Sequence, residues 1–123
     1  MEGEIHSIFP KNVKVYMALD EVEGLISVLL TSTRRSLQQV NQYKAQMNWF
    51  KGQAQKVEEL QVKINHEVNR WQQKIERLGG QVQGLWKVKF ESDQVDYYWE
   101  FPADEVRTLP KSVRTFPSSN KLS

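Results

Sequence analysis

The stretch Lys74-Ile75-Glu76-Arg77-Leu78-Gly79-Gly80-Gln81-Val82-Gln83-Gly84-Leu85-Trp86-Lys87-Val88-Lys89-Phe90 changes its hydrophobic period at the glycine pair. Upstream, Val57, Leu60, Ile64, Val68, Trp71, Ile75 and Leu78 recur at steps of three and four, which is one face of an α-helix. Downstream the step falls to two, through Trp86, Val88 and Phe90 and then Val95, Tyr97, Trp99 and Phe101, with charged residues mostly interleaved. That is the pattern of a β-hairpin. Gly79-Gly80 ends a helix instead of opening one, so it reads as a C-terminal stop and not as a phosphate loop.

Working back toward the N-terminus, an apolar face runs through Val22, Leu25, Ile26, Leu29, Leu37, Val40, Tyr43, Met47 and Phe50. Asp20, Glu21 and Glu23 lie where a helix dipole favours carboxylates, so a helix is expected over residues 18–50. The polar run Thr31-Ser32-Thr33-Arg34-Arg35-Ser36 interrupts its face. Gly52 marks the expected turn, at residues 50–54, into a second helix over 55–79. Folding about that point sets Thr33 level with Trp71 or Gln72, an indole against small side chains. At 1.5 Å per residue the helices are roughly 48 Å and roughly 37 Å long, so the start of the first projects past the second and the β-ribbon is its natural cover. No Pro occurs between residues 11 and 101, and one Gly costs only about 1 kcal/mol in a helix. A single continuous helix that dimerises therefore stays open as the alternative.

In the ribbon, a Ser92-Asp93 loop would oppose Phe90 to Val95, Val88 to Tyr97 and Trp86 to Trp99, with Lys89 facing Asp96 as an exposed pair. An even-numbered loop is required, because a one-residue slip turns the aromatic face outward. Two strands are marginal alone, so Val13 to Met17 is expected to add a third. The fold class is thus α+β and mainly α: a long antiparallel two-helix hairpin, coiled-coil-like, capped by a small antiparallel β-hairpin or three-stranded sheet. One domain spans 1–116, with a loose arm at 1–12, a short strand at 13–17, hairpin strands at 85–91 and 94–101, an irregular segment at 102–116 and a disordered tail at 117–123.

Composition narrows the functional classes. The 123 residues are 39% apolar, enough for a narrow core. The net charge of +2 is spread along the chain, so no region is basic enough to demand nucleic acid. With no cysteine, thiolate chemistry and disulfides are excluded. An opening with Glu2 and Glu4, and the absence of a long apolar run, make cytoplasmic the default localisation and argue against a membrane partner.

The run Val68-Asn69-Arg70-Trp71-Gln72-Gln73-Lys74-Ile75-Glu76-Arg77-Leu78-Gly79, with Gly84-Leu85-Trp86-Lys87-Val88-Lys89-Phe90 and Tyr97-Tyr98-Trp99-Glu100-Phe101-Pro102, resembles a bacterial family known as domain of unknown function two-two-zero-three. Ala18-Leu19-Asp20-Glu21-Val22 is similar to that family's first helix. The resemblance implies a helical hairpin with a small β-element and no established activity. The family favours Thr or Ser at Ala18, Pro at Ser27, Asp at Lys89, Cys at Tyr98 and Arg at Glu100, so the aromatic scaffold is kept while the polar decoration differs. No site is carried over.

Reaction chemistry is hard to place on this chain. His66-Glu67-Val68-Asn69-Arg70 looks like half of a zinc-protease helix, but Arg70 stands where the second imidazole must be. Glu58 and Glu59 are neighbours on a helix and point apart. The chain is therefore expected to be a non-enzyme without metal, cofactor or small-molecule substrate, acting through a protein partner or as a homodimer. The partner-binding candidates are Trp49 and Phe50, near the turn, and Tyr98, an aromatic on the charged face of the ribbon. The bland reading of Trp49 is that it caps the turn against Ala54 or Val57. A nucleic-acid or ribosome-associated role is the alternative, through Lys56, Lys63, Arg70, Lys74 and Arg77 along one helical line, against a reading of that line as solvated or internally paired.

Overall fold

A computed structural model describes residues 16–111. The expected arm at 1–12, residues 13–15 of the expected first strand, and the chain from 112 onward lie outside the described residues. Helix α1 is Leu19–Trp49 and helix α2 is Ala54–Arg77; strands β1 (Gln81–Gly84), β2 (Lys87–Glu91), β3 (Val95–Glu100) and β4 (Arg107–Pro110) follow. The helices form an antiparallel hairpin, since Thr33 meets Trp71 while Ser36 meets Glu67. The chain reverses at residues 50–53, so the continuous helix is not the form seen.

The sheet has four antiparallel strands in the order β1-β2-β3-β4, larger than the expected two or three. β4 falls in the segment expected to be irregular, and β1 in a polar stretch with little strand patterning; each gains its place by backbone pairing to a neighbour. Of the expected first strand, Tyr16 bridges Glu91 in parallel and the Met17 N–H donates to the Glu91 carbonyl at 2.8 Å.

The register of the hairpin differs from expectation by two residues. Val88 pairs with Trp99, Phe90 with Tyr97, Lys89 with Tyr98 and Glu91 with Asp96, which leaves residues 92–95 to close the turn. A two-residue loop needs backbone dihedrals that Gly or Asn supplies, and Ser92-Asp93 offers neither, so the wider loop wins. The shift is even, so every side chain keeps its expected face. Trp86 is the exception. It occupies the two-residue turn between β1 and β2 at φ 65°, a conformation a bulky residue adopts only when its surroundings hold it there. Its ring stands edge-on to Trp71 with centroids 4.9 Å apart.

The core lies between the sheet and the hairpin. Val88, Phe90, Tyr97 and Trp99 pack with Trp71 and Ile75 of α2 and with Val22 and Leu29 of α1, so the sheet covers the projecting start of the longer helix. The glycine after α2 is part of that packing: a Cβ at Gly80 would stand 2.7 Å from Val88 Cγ1 and 2.9 Å from Ile75 Cγ2. Gly80→Ala is expected to lower stability by about 1–3 kcal/mol in urea titration. Gly24→Ala, where a Cβ meets nothing within 4 Å, should not destabilise.

Candidate functional site

The tip of the hairpin holds two of the three candidate partner-binding residues. α1 ends at Trp49, the Phe50 N–H donates to the Gln46 carbonyl at 2.9 Å, and the Gln53 N–H donates to the Phe50 carbonyl at 2.8 Å. Phe50 continues the inward face of α1 and is half-buried, with the Lys56 ammonium 5.3 Å from its ring centroid. Trp49 falls one residue off that face and is 82% exposed. It therefore does not cap the turn, and the fold makes almost no use of its indole.

Tyr98 belongs to a different surface. The pairings Lys89 with Tyr98 and Tyr98 with Arg107 put it on the sheet face turned away from the helices. There it lines a groove of about 590 Å³ with Gln83, Lys87, Glu100, Arg107 and Leu109, walled by the 101–103 loop. Trp49 and Phe50 thus share the tip while Tyr98 lies on the sheet.

The basic line of α2 is largely engaged within the chain. Lys56 sits over Phe50, Lys63 over Tyr43 at 6.0 Å, and Arg70 pairs with Glu67 at 3.5 Å. Such contacts spend the cation on a neighbouring ring or carboxylate. Lys74 faces a polar groove of about 250 Å³ shared with Ser27, Thr31, Ser32 and Arg35 of α1. Arg77 lies exposed in the last turn of α2.

Two buried polar groupings sit behind these surfaces. Within the hairpin, Trp71 Nε1 donates to Thr33 Oγ1 at 2.9 Å and Ser36 Oγ donates to Glu67 Oε2 at 2.8 Å, so the polar run of α1 supplies partners for an indole and a buried carboxylate. The small-against-large match of Thr33 and Trp71 was legible from the helical spacing. The Ser36 to Glu67 bond was not, because a Glu in a helical pattern reads as surface.

On the outer sheet face, Lys89 Nζ lies 3.4 Å from Glu91 Oε2, and Lys111 Nζ lies 3.7 Å from Glu91 Oε1 and 3.4 Å from Asp96 Oδ1. Lys89, Glu91 and Asp96 are all buried, Asp96 completely. The expected exposed Lys89 to Asp96 pair is thereby corrected: the two-residue shift places Glu91 opposite Asp96 and Lys89 opposite Tyr98. Chemically this is an ion-paired cluster that ties β2 and β3 to Lys111, the residue that follows β4.

His66 is exposed on α2, and among the described residues no group of three or more His, Cys, Asp or Glu side chains is placed to hold a metal ion. Among the same residues no helix is long and apolar enough to cross a membrane. No family model, no curated protein and no solved structure matches the chain.

Proposed function

We propose that this chain is a non-enzymatic protein-interaction module that works through its helical hairpin, by self-association or by binding a protein partner. The observation that carries the reading is the Trp49 indole, 82% exposed at the tip and free of any packing duty in the fold. Burial of a Trp in a partner's pocket is among the strongest single contributions an interface receives. Phe50, half-buried beside it with Lys56 over its ring, extends the apolar surface of the tip. The likeness to an uncharacterised helical-hairpin family fits such a role without specifying it.

Trp49→Ala tests the proposal. Unfolding free energy should stay within about 0.5 kcal/mol of the parent, because the side chain is exposed. Affinity for the retained polypeptide, identified by mass spectrometry and titrated by calorimetry, should fall about thirtyfold or more. A parent chain that is monomeric by light scattering and retains no polypeptide, or a Trp49→Ala chain that binds as well as the parent, overturns it.

A nucleic-acid role is supported by one observation, the groove in which Arg35 and Lys74 stand among the hydroxyls of Ser27, Thr31 and Ser32. It ranks second because Lys56, Lys63 and Arg70 of the basic line have partners inside the chain. Absence of salt-dependent RNA or DNA binding at low ionic strength removes it.

A further inference from the structure

The two outer ends of the hairpin carry helix stop signals, and the two ends at the turn carry none. At the outer end, Glu21 accepts the Ala18 N–H at 2.8 Å and shares the first turn of α1 with Asp20, while the last turn of α2 holds Lys74 and Arg77 before Gly79 takes φ 99°. Each of these complements a helix terminus. At the turn, the last turn of α1 has no basic residue, the first turn of α2 has no acidic one, and the side chain of its N-cap, Gln53, makes no capping hydrogen bond. Gly52 is not in the left-handed region that a glycine stop uses, and nothing lies within 4 Å of where its Cβ would be.

A second observation points the same way. Val40, Tyr43, Met47, Phe50, Ala54 and Val57 follow one another at alternating steps of three and four, straight through the turn, before the buried face resumes at Leu60 and Ile64. A loop resets helical phase, so a hairpin does not need that continuity. A helix running through residues 50–53 does.

We infer that the turn is a hinge, and that two copies of the chain open it to form a domain-swapped dimer. In that dimer each chain is one continuous helix of about 90 Å, and α1 of one copy packs on α2 and the sheet of the other. The inference rests on the self-association named above and specifies its geometry. Every contact between α1 and α2, including Trp71 with Thr33 and Ser36 with Glu67, re-forms between copies without change. The new surface is confined to the crossing, where Phe50, Ala54 and Val57 of the two copies meet. Short connections between helices are known routes to such exchange.

The absence of native cysteine makes the test clean. Spin labels at Gln38→Cys and His66→Cys, both exposed positions on facing stretches of the helices, report the intrachain distance when the labelled chain is refolded with a tenfold excess of unlabelled chain. In the hairpin that distance is about 10–20 Å, set by helix packing. In the opened chain it is about 42 Å, set by the helical rise.

The expected result is a dimer by light scattering at high concentration whose intrachain distance is the long one. Gly52→Ala should tighten the dimer about thirtyfold, two glycines being replaced per dimer. A Gly-Ser-Gly-Ser insertion after Gly52 should return the chain to a monomer with the short distance. A dimer with the short distance overturns the swap while leaving self-association standing. A strict monomer, for both the parent and Gly52→Ala, removes self-association and the swap together and leaves binding of a different polypeptide to the Trp49 experiment.

Discussion

Replacing Trp71 with Ala is expected to lower the unfolding free energy by about 3–5 kcal/mol, the range for emptying a buried aromatic site. Trp71 is 2% exposed and links three parts of the molecule: it donates to Thr33 of α1, stands edge-on to Trp86 in the β1–β2 turn, and packs in the cluster that holds the sheet to the helices. Trp71→Phe should cost less, about 1–3 kcal/mol beyond the lost contact area, because it strands the buried Thr33 hydroxyl. Adding Thr33→Val to Trp71→Phe should recover most of that penalty, since neither partner is then polar. Urea titrations of the four members of this cycle measure the coupling. Additive effects would show that the hydrogen bond does not contribute to the stability of the hairpin.

Glu91→Gln should be nearly as damaging, at about 3–5 kcal/mol. The substitution keeps the shape of the side chain but removes the charge that lies 3.4 Å from the ammonium of Lys89, itself only 8% exposed. A buried charge left without its partner costs far more than the pair gained in forming. Lys87→Met, two residues before Lys89 on the same face of β2 and exposed, provides the contrast and should change stability by no more than about 0.5 kcal/mol. Equal effects at residues 87 and 91 would mean that the outer sheet face is solvated.

These two sites differ in how readable they were. The Thr33 to Trp71 match follows from one-dimensional spacing, because equal steps from Gly52 along two antiparallel helices bring the same pair of residues level. The ionic cluster does not follow, since alternation along β2 and β3 puts Lys89, Glu91 and Asp96 on the polar face and says nothing of whether that face is wet. The tip was partly readable: the helical phase set Trp49 off the inward face, but its exposure depended on how sharply residues 50–53 turn.

The amino-acid order alone determined that helical sequence precedes a strand region and which side chains of β2 and β3 face inward, because both are set by local period. The reversal at residues 50–53, where the helical period continues unbroken, was decided by the packing of α1 on α2. Tertiary structure decided the strand register, the recruitment of β1 and β4, and the placing of Trp86 in a turn. A two-residue shift leaves every face unchanged, so the hydrophobic pattern cannot distinguish the registers, and edge strands are recruited by backbone N–H and C=O groups that every non-proline residue carries alike. Only the assembled sheet, closing over Val22 and Leu29, selects among those equivalent local solutions.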